Sequence, residues 1–208
     1  MNEITKIKTI ETFNEFKLKE KNSIFIGQVY HVESEKECVT ILNRIKKKYY
    51  DATHHCYAYI LNDKFVKYSD DGEPNGSAGI RILNAIKHFD LISVILVIIR
   101  YFGGTKLGVG PLGKTYYNTA HKTLETASII VKLPYYHLTI IAEFSDIGYV
   151  HRILSSSDSK IIDTIYNDKV VFNCLISPSA IDNINNQLTE ISKGHIKVEI
   201  DNNIIYTK

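Results

Sequence analysis

The 208-residue sequence predicts an α+β protein of two domains, 1–132 and 133–208. Three observations predict it. Strand-like alternation and helix-like periodicity interchange along the whole chain. After Lys132-Leu133-Pro134 the order becomes a plain strand-helix-strand-strand-helix-strand series. Formal charge also changes sign there: residues 1–132 carry 19 Lys/Arg against 14 Asp/Glu, or +5, and residues 133–208 carry 6 against 9, or −3.

In the first part, alternating patterns predict strands over 7–18 and 23–32. Ser34 and Glu37 form a capping box that opens a helix running to about Tyr50, with Cys38, Ile41, Leu42 and Ile45 on its apolar face. A hairpin follows, Cys56–Leu61 and Phe65–Tyr68, turned at Asn62-Asp63. Residues 69–79 form an acidic, Gly-rich loop leading into a short helix that ends near His88. Ser93–Ile99 is a continuous β-branched run, which predicts a strand covered on both faces. Residues 103–113 hold five glycines, and Pro111 suits the first turn of a helix reaching about Ala127. In the second part, strands are expected over 137–144, 160–166, 169–177 and 195–200. Helices fill 146–156 and the stretch from an N-cap at Ser177 to Gly194. This is the split βαβ, or ferredoxin-like, order βαββαβ.

Composition excludes several classes. The longest apolar run, Leu91 to Ile99, is too short to span a bilayer, so no membrane partner is expected. The N-terminus has no secretory h-region. Three dispersed cysteines without a CxxC fit neither a disulfide framework nor a structural zinc site, and they point to the cytoplasm. No metal or cofactor is expected.

Four segments could carry chemistry. In the run Arg100 to Gly108, glycines would let backbone amides approach an anion while Arg100 and Lys106 add positive charge; the competing reading is a tight connection. Asp70, Asp71 and Glu73 could hold Mg²⁺ or act as acid and base, or else cap the next helix. On a strand, His54 and Cys56 share a face and His55 takes the other, too few ligands for zinc. The helix end Arg44, Lys46, Lys47, Lys48, Tyr49, Tyr50 suits phosphate contacts with stacking, or simply favours the helix dipole. Residues 108–115 formally match GxxxxGK[ST], ending in Gly113-Lys114-Thr115. A true P-loop starts at the strand end, and here about seven residues intervene.

Residues 52–59 (ATHHCYAY), 69–79 (SDDGEPNGSAG) and 97–108 (VIIRYFGGTKLG) resemble the YigZ/Impact family, in which D-D-G-E-P-x-G-[ST]-A-G and R-[YF]-[YF]-G-G-x-x-L-G recur. The resemblance covers residues 20–130 and extends to the ferredoxin-like tail of bacterial members. It implies an N-terminal α/β sandwich like the second domain of a small-subunit ribosomal protein, and a tail like a terminal domain of elongation factor G. Eukaryotic relatives regulate translation, which implies a regulatory protein that binds RNA, the ribosome or a translation factor. The alternatives are an enzyme acting on a phosphorylated or nucleotide-like small molecule between the acidic and Gly-rich loops, and a protein-interaction module without nucleic acid. Cleft candidates are His54, His55, Asp70, Asp71, Glu73, Arg100, Tyr101, Gly103, Gly104 and Lys106. Nucleic-acid candidates are Arg44, Lys46, Lys47, Lys48, Arg100, Lys106 and Lys114. Where the family continues with a Gly-Gly-Leu segment, this chain has Gly110-Pro111-Leu112-Gly113-Lys114, so the P-loop match falls where the family has no lysine.

Overall fold

The computed structural model describes residues 6–62, 64–192 and 195–208. In chain order its elements are β1 (Ile7–Ile10), β2 (Asn14–Glu20), β3 (Ser23–His31), α1 (Glu35–Lys48), β4 (His54–Asn62), β5 (Phe65–Ser69), α2 (Gly79–His88), β6 (Val94–Tyr101) and α3 (Val109–Glu125). There follow β7 (Ile129–Ala142), α4 (Ile147–Ser155), β8 (Ser159–Tyr166), β9 (Val170–Ile176), α5 (Ile181–Ser192) and β10 (Lys197–Thr207). The described residues divide into two compact units, Lys8–Val131 and residues 132–208 with 6–7.

In the unit Lys8–Val131, a sheet of order β2-β3-β6-β4-β5 is antiparallel throughout. Its centre is β6, where residues 94–100 are all buried, as the β-branched run required. Alternation sends Leu96 and Ile98, with Phe25, Val29, Cys56 and Ala58, into a core with α2 and α3. The other face buries Ile95, Val97 and Ile99, with Ile26 and Tyr59, against Cys38, Leu42 and Ile45 of α1. Helix α1 starts as expected: Ser34 Oγ accepts from the Glu37 amide at 3.3 Å. The Glu37 carboxylate reaches back to the Glu33 amide at 2.9 Å, closing the box one residue early.

Three expectations change here. The single strand over 7–18 is two, because the halves have different partners. Strand β1 pairs with β7, with an isolated parallel bridge from Lys8 to Leu91, whereas Asn14 to Glu20 pair with β3, so the chain turns between them. Helix α1 ends at Lys48 rather than Tyr50. The hairpin strands run longer, and Asn62 Oδ1 holds the turn by accepting from the Lys64 and Phe65 amides; Asp63 lies outside the described residues.

The unit of residues 132–208 has sheet order β10-β7-β9-β8, antiparallel throughout, the ferredoxin-like arrangement. Leu138, Ile140 and Ala142 of β7, with Phe172 and Cys174 of β9, pack on Val150, Ile153 and Leu154 of α4 and Ile184 and Leu188 of α5. Strand β7 begins at Ile129, ahead of the expected 137, and carries Lys132-Leu133-Pro134 within it. Its pairing with β10 extends to Leu133↔Thr207, which also lengthens β10 beyond Ile200. Ser177 makes no side-chain cap. Pro178–Ala180 form a 3₁₀ turn ahead of α5, and the Ser177 hydroxyl lies 3.1 Å from that of Ser179. Gly194 lies outside the described residues. All three cysteines are free and buried. Among the described residues no helix is long and apolar enough to cross a membrane.

Gly27 lets α3 lie close on the sheet, since a Cβ there would stand 2.1 Å from Thr123 Oγ1. Gly27→Ala is expected to lower stability by about 1–3 kcal/mol in urea titrations. Adding Thr123→Ala should return part of the loss; an unperturbed Gly27→Ala midpoint would refute this packing.

Candidate functional site

Strand register assembles the site. His54 and Phe25 both lie opposite Arg100, so the three side chains share one face of the sheet, and Cys56 joins them two residues along β4. The loop after β5 carries Glu73 onto this face. Glu73 Oε1 accepts from Arg100 Nη1 at 2.5 Å and from the Tyr116 hydroxyl at 2.7 Å, and Oε2 stands 3.8 Å from His54 Nε2. The side chains of Glu73 and Arg100 are 3% and 6% exposed. The guanidinium lies 5.3 Å from the Phe25 ring centre and 5.5 Å from that of Phe102. Arg100 Nε is buried without a hydrogen-bond partner in the described structure, and these aromatic faces are what it meets instead.

The three carboxylates of the acidic loop point three ways. Asp70 Oδ1 accepts from the Ala78 and Gly79 amides at 2.9 and 2.7 Å, and Oδ2 from the Gly76 amide at 2.9 Å, which caps the start of α2. Asp71, in the left-handed region at φ 43°, accepts from the His55 amide at 2.7 Å and from Lys46 Nζ at 3.1 Å. Partial burial pushes its carboxyl up, but the His55 amide and Lys46 outweigh this and hold it below the usual aspartate value of 3.8. Glu73 alone turns to Arg100. Among the described residues no group of three or more His, Cys, Asp or Glu is placed to hold a metal ion.

His54 Nδ1 lies 2.8 Å from the Asp71 carbonyl, so that nitrogen carries the proton and donates. On the opposite face His55 Nε2 lies 3.0 Å from the Tyr49 carbonyl. The Cys56 thiol has two acceptors within reach, the Asp70 carbonyl at 3.0 Å and Tyr116 Oη at 3.4 Å. Burial drives its pKa far up, and the neighbouring carboxylates add to this against the opposing Tyr116 contact. A thiol so held stays protonated, which is the opposite of what a nucleophilic cysteine needs.

The Gly-rich segment is a connection fitted against β3. Gly103 donates to Ser23 Oγ at 3.1 Å, and a Cβ on it would meet the Asn22 carbonyl carbon at 2.1 Å. Gly104 and Lys106 are exposed. Tyr101 donates to Asp51 at 2.8 Å, and burial with that carboxylate raises its phenol to about 12. The P-loop pattern is mostly helix: Gly108 is the N-cap, residues 109–115 are already in α3, and Thr115 donates to the Pro111 carbonyl. A phosphate cradle needs those residues in a loop before the helix. Lys114 is exposed on α3 beside Arg81 and Tyr117.

At the end of α1, Lys47 and Lys48 are exposed, Arg44 stacks 5.2 Å over the Tyr30 ring, and Lys46 is paired with Asp71. Arg100, also a nucleic-acid candidate, is buried and so stands apart from this exposed basic surface. Sequence reasoning missed Tyr116, Phe25 and Phe102. Tyr116 was detectable, since it lies on the buried stripe Leu112-Tyr116-Ala120-Leu124, where a phenol must find a partner.

Residues 21–124 match the family described as Impact N-terminal domain, and residues 140–195 match a domain of unknown function, DUF1949. The chain is 29% identical to IMPACT family member YvyE of Bacillus subtilis (strain 168), covering 89% of this chain and 87% of the relative. It is 26% identical to IMPACT family member YigZ of Escherichia coli (strain K12), covering 86% and 89%. Protein IMPACT of Danio rerio is 33% identical over 43% of this chain and 30% of its own length. A crystal structure of a hypothetical protein shares the fold, with TM-score 0.68 at 24% identity over 95% of this chain and 98% of that one.

Glu73→Ala strands a buried guanidinium and is expected to cost about 3–5 kcal/mol in urea denaturation. Glu73→Met with Arg100→Met should cost clearly less than the two single losses added, because the double variant buries no charge; additive losses would contradict the coupling.

Asp71 contributes stability that is present above its unfolded value of 3.8 and fades as pH falls through its lower folded value. Wild type should therefore melt above Asp71→Asn at neutral pH, with the gap closing as pH drops below that value. A gap that persists in strong acid would refute the ion-paired assignment.

Proposed function

The chain belongs to the IMPACT family, and from that premise we propose that it is a cytoplasmic, translation-associated regulatory protein that works by binding RNA, ribosomal RNA included. Residues 1–132 form its binding domain in this reading, and residues 133–208 its ferredoxin-like companion. The supporting observation is the division of charge. Asp70, Asp71 and Glu73 are engaged by α2, Lys46 and Arg100, whereas Arg44, Lys47 and Lys48 remain at the surface, Arg44 beside the Tyr30 ring and Lys48 beside that of Tyr49. Cations beside exposed aromatic faces suit a phosphate backbone with unpaired bases.

Co-sedimentation with ribosomes tests the reading. Wild type should pellet at low salt and release at high salt, since phosphate contacts exchange with counterions. Lys47→Glu with Lys48→Glu should pellet several-fold less at an unchanged melting temperature, because exposed charges contribute little to stability. No pelleting of wild type at low salt would contradict the proposal.

A further inference from the structure

A groove of about 490 Å³ lies where β3 meets the last turns of α1, lined by Phe13, Gln28, Tyr30, Arg44, Ile45 and Lys48. We infer that this groove is a base-stacking site for single-stranded RNA, with the open face of Phe13, backed by Tyr30, as the platform and Arg44 and Lys48 as the phosphate contacts. The inference rests on the RNA-binding reading above and gives it a location.

The ring centroids of Phe13 and Tyr30 are 4.9 Å apart and their planes are tilted by 35°. Phe13 is 52% exposed, an open aromatic face that no core needs. Tyr30 is fixed from below: its hydroxyl donates to Gln28 Oε1 at 2.8 Å, and Gln28 Nε2 lies 2.5 Å from Glu15 Oε2 and 3.0 Å from Tyr49 Oη. The Glu15 carboxylate, the anion of this network, is thus engaged by Gln28, with the Tyr49 hydroxyl also 3.5 Å away. Arg44 lies over the Tyr30 ring, and Lys48 Nζ is 5.0 Å from the Tyr49 ring centre, so both cations flank the aromatic floor. The exposed Phe13 ring, backed by Tyr30 and with Arg44 and Lys48 beside it, matches the chemistry of an unpaired base joined to its phosphate. A duplex keeps its bases stacked inside and offers the platform nothing.

The test is fluorescence anisotropy with a labelled oligouridylate of about ten nucleotides, within the usual span of single-strand sites. Wild type should bind, with a log–log salt slope of roughly 0.7 per phosphate contacted. Phe13→Ala and Arg44→Ala should each weaken binding roughly fivefold or more at unchanged melting temperature, and an RNA duplex of the same length should bind more weakly. Ultraviolet crosslinking should place the adduct on the peptide holding Phe13 or Tyr30. If wild type binds the oligomer and both variants bind equally well, the groove is wrong while the RNA reading stands. The groove is equally wrong if wild type ignores the oligomer yet pellets with ribosomes. Failure in both assays would overturn the two together.

Discussion

The buried pair of Glu73 and Arg100 is the contact on which the site end of the first unit depends. Arg100 lies on the central strand, between its register partners His54 and Phe25, and meets the Glu73 carboxylate there. Meeting it pins the acidic loop to the sheet. Once pinned, the loop presents Asp70 to the first amides of α2 and Asp71 to β4 and α1, while Tyr116 ties in α3. Two strands, three helices and a loop are therefore held by one charged centre. Such a pair adds little net stability over apolar residues of the same shape, because desolvation offsets the Coulomb attraction. Its effect is to make one loop conformation much better than any other: a misplaced loop leaves a buried cation alone.

That arrangement bears on function. A segment as dense in charge as DDGEP next to RYFGG reads as a reactive cleft, yet each of its three carboxylates is engaged by a backbone amide or a cation. Burial pushes the thiol's pKa up, the carboxylates diverge, and Gly103 admits close backbone contact at Asn22. In the proposed reading the partner is met by the exposed end of α1 and the aromatic rings beside it. The motif is on this account the framework, and the recognition surface lies on a neighbouring stretch with a plainer sequence.

Much of the fold was legible because its signals are local. The β-branched run gave the covered central strand, Ser34 and Glu37 gave the start of α1, and the βαββαβ order of the tail gave its sheet. Errors fell where tertiary pairing decides: the break between β1 and β2 depends on which strands each meets, and the early start of β7 depends on β10. At the site, alternation correctly put His54 and Cys56 on one face and His55 on the other. Alternation cannot show that Glu73 swings in while Asp71 swings out, since a loop has no period. Nor could it bring Phe13, outside any strand, beside Tyr30.

Amide hydrogen exchange in the loop tests the central claim, that the charged motifs form a fixed framework, more directly than any activity. The Gly76, Ala78 and Gly79 amides donate to the Asp70 carboxylate, and on this account Asp70 stays in place through the Glu73–Arg100 pair. These amides should exchange slowly in wild type, near the rate set by opening of the whole unit. In Arg100→Met they should exchange orders of magnitude faster while the amides of β6 stay protected. Fast exchange of these three amides in wild type would contradict the account, since it would mean a mobile loop with its carboxylates free to act.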